Sequence, residues 1–368
     1  MEKSNSTLAQ VRQILGRYVR PIVGIIIAVF LAWRLYYVLI VQHSFSADTW
    51  LRFGLAGLIL GGMYALIAIG YTLVYGIMFM INFAHGEVMM LGAFGGFFVF
   101  EALRLIPTPT AANPDLVFLN AHPFIAVFLA FLVGILVSAT AGYFLEKIAY
   151  RPLRKAPRLI LLITAIGASI FLQNLAMLLF GPQRKNIINP DILDRGIGWT
   201  VMVSGNPVLI SYTGVFSLVL SSLLMVALYI LVQRTKLGRA MRAVAQDKNT
   251  ASLMGVDVDN VISKTFIISG VLAGAAGVMW DIHMGLVNHY TGFLPGIKAF
   301  TAAVMGGIGN IPGAMLGGMF LGIIEAIGPA ALGIDFQLKD VIAFSILVLV
   351  LIVRPSGILG EKLSEDKL

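Results

Sequence analysis

The chain has no cysteine among its 368 residues, so neither a disulfide framework nor a thiolate metal site can be built from it. Charge is scarce too. Asp, Glu, Lys and Arg together supply 12% of the residues, about half of the ~25% carried by a soluble domain. The five histidines (His43, His85, His122, His283 and His289) show no His-Glu-x-x-His spacing of the kind that places two ligands on one helix face. No Ser/His/Asp set can be picked out, and no Gly-x-x-x-x-Gly-Lys-Ser/Thr phosphate loop is present. The chain is therefore expected to be no enzyme, with no catalytic residue, no metal site and no cofactor. If it moves a solute uphill, a partner or an ion gradient must supply the energy. Nucleic acid is not expected as a ligand, because the basic residues lack interleaved aromatics and a folded soluble domain to carry them.

What is abundant is apolar. Hydrophobic residues make up 58% and the mean hydropathy is +0.90. Runs long enough to cross a hydrocarbon layer of ~30 Å recur along the chain, too many to share one soluble core. The fold class expected is an all-α, polytopic helical membrane protein. About 8–9 spans are predicted, near 22–41, 53–76, 82–100, 124–145, 159–180, 209–232, 261–282, 299–327 and 339–353.

The distribution of lysine and arginine orients these spans. Four lie in the amino terminus (Lys3, Arg12, Arg17, Arg20), five in 146–158 and five in 233–260, against six in 42–52, 101–123, 182–208 and 283–299 combined. The basic segments belong inside, so the net charge of +8 is mostly a topology signal and the amino terminus is expected to be cytoplasmic. A cleaved leader is the other reading of the first run. It is disfavoured by the run's length, by Arg34 inside it and by the lack of a small-residue cleavage site at Val41-Gln42-His43.

Two stretches interrupt the apolar pattern. Region 299–327 contains Gly306-Gly307-Ile308-Gly309-Asn310-Ile311-Pro312-Gly313. Glycine costs about 1 kcal/mol and proline about 3 kcal/mol inside a helix, so a broken or re-entrant segment is predicted there. Segment 238–256 is a basic, amphipathic, helix-like insert between two long apolar runs. Arg239 and Arg242 are three apart and share a face, with Met241, Val244 and Ala245 expected to be displayed beside it. The plain alternative is a solvated loop made basic for topology alone.

Glycine, at 39 residues, recurs at four-residue spacing: Gly57/Gly61, Gly92/Gly96, Gly134/Ser138/Gly142, Gly270/Gly274, Gly313/Gly317 and Gly318/Gly322. Small residues let helices approach closely in lipid, and surfaces that slide during transport are the functional alternative. Membrane-embedded ionisable groups are costly and mark functional sites by default. Glu87, Asp281, His283 and Glu325 stand out. Asn82 is expected to cap the helix that carries His85 and Glu87, with the Glu87 carboxylate complementing the helix start. The competing reading makes Asn82, His85 and Glu87 a gate.

Several long motifs in order resemble the permease subunits of bacterial ATP-binding-cassette importers for branched-chain amino acids, specifically the shorter of the two paired permeases. The resemblance is carried by Asn82-Phe83-Ala84-His85-Gly86-Glu87, by Ala251-Ser252-Leu253-Met254-Gly255-Val256 with Thr265-Phe266, by Gly292-Phe293 and Lys298 through Ala314, and by Arg354-Pro355-Ser356-Gly357-Ile358-Leu359-Gly360. It implies a permease domain over 46–360, with a coupling loop at 233–260. Residues 1–45 add a basic extension with an extra span, 101–123 lengthen a loop, and 361–368 form a tail. Implied partners are a second, homologous permease, two cytoplasmic ATPases, a periplasmic amino-acid-binding protein and the lipid of a bacterial inner membrane. Gly238, Arg239, Arg242, Ala243, Ala251 and Gly255 look like the ATPase-coupling residues. The translocation path or gate is expected at Asn82, His85, Glu87, Gly306, Gly307, Gly309 and Pro312. A permease for urea or short amides is the near alternative. A proton-coupled transporter using Glu87 and Glu325 is the remote one.

Overall fold

The computed structural model describes residues 29–30, 33–34, 36–38, 45–109, 113–154 and 156–360. The basic leader with Lys3, Arg12, Arg17 and Arg20, most of the first expected span and the 361–368 tail lie outside the described residues.

Among the described residues, eight helices are long and apolar enough to cross a membrane. Helix α1 is Ala47–Met78, α2 His85–Arg104, α3 Pro123–Phe144, α4 Arg158–Phe180 and α5 Tyr212–Arg234. Two short helices follow, α6 at Lys236–Gln246 and α7 at Lys248–Leu253. The chain then runs through α8 (Val258–Met284), α9 (Phe293–Gly306), α10 (Ile311–Leu332) and α11 (Lys339–Val353). Helices suit such segments because each backbone group finds its partner within the element, where no water is at hand.

Helix starts follow side-chain chemistry. Ser211, Thr235, Asp247, Asp257 and Asn310 each accept a hydrogen bond from a backbone N–H two or three residues on, which satisfies a donor the first turn leaves free. Helices α1, α8 and α10 stop at Phe79, Gly285 and Gly333 in the left-handed region.

The predicted glycine stripes sit at helix crossings. Gly61 faces the Met319 backbone so closely that a methyl group there would lie 2.8 Å from Met319 Cα. Gly318 and Gly322 press on Ala65 and Gly61 from the other side, joining α10 to α1. Gly92, Gly134, Gly270 and Gly274 do the same for α2, α3 and α8. The stripes are thus packing surfaces. Helices α1, α2 and α8 form the buried centre, while α3, α4, α5 and α11 turn apolar faces such as Phe128, Ile163, Leu223 and Val348 outward.

The break in region 299–327 falls at 307–310 and separates two unequal limbs. Helix α9, at 14 residues, is about 21 Å long and is a half-helix. Helix α10, at 22 residues, is a full crossing of about 33 Å.

The loop expected at 182–208 carries unpredicted sheet. Strand β1 (Lys185–Asn186) pairs with β4 (Leu286–Val287), and β2 (Gly198–Val203) forms a hairpin with β3 (Asn206–Ser211). Ser204 and Gly205 both have positive φ, 51° and 85°, which is the two-residue turn geometry that matches strand twist. The hairpin and segment α6–α7 lie at opposite ends of α5.

Candidate gate and coupling segment

Helix α2 begins within the body of the bundle, and this placement defines the first candidate site. Ser269 Oγ donates to the Gly70 carbonyl at 3.1 Å and lies 3.3 Å from His85 Nδ1. Ser269 is 11 residues into α8 and Gly70 is 8 residues short of the end of α1, so His85 sits about 12–16 Å from those helix ends. Its ring is buried edge-on to Tyr71, centroids 4.9 Å apart. Glu87 is buried as well. Its Oε1 accepts from Gln173 Nε2 at 2.7 Å and from Ser169 Oγ at 3.2 Å, both in the middle of α4.

Asn82 is not the helix cap that the sequence suggests. The capping position is Ala84, which has no side-chain bond, while the Asn82 carbonyl accepts from His85 N at 3.0 Å. The Asn82 side chain turns instead to Tyr150, whose hydroxyl donates to Oδ1 at 2.6 Å. A fully buried phenol needs such a partner, and that need outweighs the cap.

The start of α9 abuts the same place. Gly86 and Gly292 meet backbone to backbone, and a methyl on Gly296 would lie 3.0 Å from Gly86 Cα. Two helix beginnings thus face each other at depth, an arrangement that aims free amide groups inward in transporters.

The other half of the expected path lies elsewhere. Gly306 and Gly313 touch through their backbones, and Gly307 adopts φ 107°, which only glycine takes readily. The chain end closes this turn: Ile358 N donates to Met305 O at 2.8 Å, Leu359 N to Gly306 O at 2.9 Å, and Asn310 Nδ2 to Leu359 O at 2.8 Å. Gly309 comes near Tyr75, and Pro312 occupies the first turn of α10, where a missing N–H costs nothing. Gly306, Gly307, Gly309 and Pro312 therefore sit at one end of α9 and His85 and Glu87 toward the other, about 15 Å along the helix. The structure does not bring the two sets together.

A third polar cluster was only partly visible in sequence. Glu325 accepts from Lys298 Nζ at 2.7 Å and from the Tyr64 hydroxyl at 3.0 Å, with Lys339 at 3.2 Å. Lys298 also contacts Asp340 at 2.6 Å. Asp281, just 1% exposed, has no hydrogen-bond partner among the described residues on either carboxylate oxygen. His283 lies two residues beyond it in the last turn of α8. No group of three or more metal-ligating side chains occurs among the described residues.

The coupling segment differs from expectation in which side chains it displays. Met241 and Val244 are 3% and 1% exposed and belong to the core. Gly238 and Ala251 also face inward, Gly238 against the Val232 carbonyl. They shape the segment's seat on the bundle. Amphipathicity reveals an apolar stripe but not which body it meets, and here α1 and α8 claim it. Arg239, Arg242, Ala243 and Gly255 are exposed, and Arg242 donates to the Val232 carbonyl. The exposed apolar residues are Leu253 and Met254, at 87% and 80%. Asp247 caps α7. The Thr250 hydroxyl first, then the Thr250 and Asn249 amides, hold its carboxyl below the usual range.

The fold and these sites define a class: a multi-pass helical membrane protein with discontinuous helices at its centre and an exposed two-helix segment at one end. The family description "Branched-chain amino acid transport system / permease component" matches residues 54–351, and the chain belongs to that family. It is 47% identical over 305 residues to the high-affinity branched-chain amino acid transport system permease protein BraD of Pseudomonas aeruginosa, covering 83% of this chain and 94% of that protein. It is 44% identical over 306 residues, with the same coverage, to the permease protein LivH of Escherichia coli K12. A probable branched-chain amino acid transport permease of Methanocaldococcus jannaschii is 28% identical over 319 residues, 82% of this chain and 90% of that protein. No solved structure matches the chain.

Proposed function

We propose that this chain is the membrane-spanning permease subunit of an ATP-driven importer of leucine, isoleucine and valine in a bacterial inner membrane. The observation that carries the reading is the coupling segment. Leu253 and Met254 are exposed apolar side chains of a short helical insert that also exposes Arg239 and Arg242, which suits the cleft of an ATPase whose carboxylates meet the guanidinium groups. The lack of a phosphate loop in this chain fits a motor carried by partner subunits. The substrate is supported by the relatives, which are branched-chain amino acid transport permeases.

In this reading a second, homologous permease completes the path, two cytoplasmic ATPases drive it and a periplasmic binding protein delivers the amino acid. The amino terminus, 146–158 and 233–260 face the cytoplasm, while 182–208 and 283–295 face outward. Asn82, His85 and Glu87 form the gate. The break at Gly306, Gly307, Gly309 and Pro312 belongs to the translocation path.

Uptake of labelled leucine in energised vesicles tests the reading. It should require ATP, survive an ionophore and vanish when the gene is deleted, with urea uptake unchanged. Collapse by the ionophore with ATP intact, or retention after deletion, would overturn it. Single cysteines in this cysteine-free chain test the orientation: an impermeant thiol reagent on intact cells should label position 189 and spare position 242.

A further inference from the structure

The chain leaves α3 through a π-helical turn, Leu145–Tyr150. Such turns are rare and are found preferentially at functional sites. Two side chains of this turn, both fully buried, are bonded in different directions.

Glu146 points to the rim of the bundle. Its carboxylate accepts from Arg154 and, at 2.7 Å, from Ser263 Oγ of α8. Arg154 also engages Asp259 at 2.5 Å, and Arg151 holds the other oxygen of Asp259 at 2.6 Å. Asp259 is the second residue of α8, directly after the coupling segment. Lys248 of α7 is half-buried close by, and its ammonium pKa is pushed down by burial and then by the Arg154 charge. This end of the turn is therefore bolted to the first turns of α8, which begin two residues after the segment that presents Leu253 and Met254.

Tyr150 points inward. Its ring packs on Phe266, centroids 5.5 Å apart, and its hydroxyl donates to Asn82 Oδ1 at 2.6 Å. Asn82 lies in the short connection between α1 and α2, three residues before His85. Both groups are buried, and a buried oxygen stripped of its partner is costly. A displacement of the turn must drag the connection with it or break the bond.

We propose that the turn 145–150 relays movement of the coupling segment to the Asn82–Glu87 junction, with the Tyr150 hydroxyl as its positioning group. The inference rests on the transport reading above. In the same reading Glu146, Arg154 and Asp259 form the outer end of the relay. Asn82 is then a follower of the ATPase cycle.

The test uses the complete transporter in liposomes: both permeases, both ATPases and the binding protein. ATP hydrolysed per leucine imported is measured for the wild type and for Tyr150→Phe, alongside ATPase retention. The relay predicts that Tyr150→Phe keeps its ATPases and hydrolyses ATP within about twofold of wild type, while the ratio rises about fivefold or more, as expected for one lost hydrogen bond. In an assembled transporter a merely structural pair would lower hydrolysis and uptake in step, and that outcome, or an unchanged ratio, overturns the relay. If Tyr150→Phe does not assemble, Asp259→Asn decides, since its side chain is half exposed. It must raise the same ratio, and a normal ratio overturns the proposal. Failure of the wild type to import leucine with ATP would instead sink the transport reading, so the two are separable.

Discussion

Gln173 donates its side-chain amide to Glu87 across 2.7 Å, joining the first turn of α2 to the middle of α4. A carboxylate that the sequence places at a helix start is thus a bridge between helices, and its second oxygen has no partner among the described residues. Glu87→Gln preserves an acceptor for Gln173 and should cost about 1 kcal/mol or less of stability. Uptake is expected to fall steeply in a variant that still assembles with its ATPases. Gln173→Leu leaves the carboxylate short of a donor and should destabilise by about 1–3 kcal/mol, read as a lower unfolding temperature in detergent. Normal uptake by Glu87→Gln would return Glu87 to the role of a helix-start complement.

The coupling segment separates into two groups of residues with opposite expectations. Replacing Arg239 and Arg242 together by glutamate, or Leu253 and Met254 together by aspartate, should leave a folded, membrane-inserted chain that no longer retains ATPases and no longer supports uptake. Met241→Asp buries a charge against α1 and α8 and should instead prevent folding. Pull-down of the ATPases beside leucine uptake distinguishes the outcomes. Retention and transport by both charge-altered double variants would reduce 237–256 to a basic loop. Because Arg242 also holds the Val232 carbonyl, Arg239→Glu alone is the cleaner probe of the ATPase contact.

Lys298 and Glu325 are both buried and joined at 2.7 Å. Removing one partner of a buried ion pair costs about 3–5 kcal/mol because the other charge is left uncompensated. Lys298→Met and Glu325→Gln should each lower the unfolding temperature. The double variant should lose less than the two single losses combined, by about 1 kcal/mol or more. Strict additivity would show that Lys339, Asp340 and Tyr64 hold each member independently.

Asp247 provides a pH test outside the membrane. Its carboxyl titrates below the ordinary range in the folded chain, so the contribution of the cap is full above the unfolded pKa of ~3.9 and is lost as pH falls through the lower folded value. Hydrogen exchange of 248–254, corrected for its intrinsic pH dependence, should stay protected from pH 7 to pH 5 and loosen under stronger acid. Asp247→Asn, which caps without titrating, should show no such loosening. Asp247→Ala should be loose at every pH.

The sequence made some of this architecture legible and hid the rest for physical reasons. Long apolar runs predict the spans because hydrocarbon demands them, and the glycine stripes predict crossings such as Gly61 with Met319 because backbone contact needs a missing side chain. The hairpin around Ser204-Gly205 carries a local signal, a two-residue turn between two short strands, whereas the segment as a whole reads as loop. Tyr150 with Asn82, Gln173 with Glu87 and Lys298 with Glu325 join residues far apart in the chain, and no local spacing announces such bonds. Met241 and Val244 mislead for a related reason: an apolar stripe on a short helix does not say whether it packs on its own bundle or on a partner.

The seam between the half-helix and the chain end sets an order of events during synthesis. The Met305 and Gly306 carbonyls accept from the N–H groups of Ile358 and Leu359, which leave the ribosome after α10 and α11. Until then α9 enters the bilayer with its last turn unfinished and Gly307 without the Gly357–Gly360 strap against it. A chain halted before Pro355 would hold every apolar helix and still leave that end of α9 open.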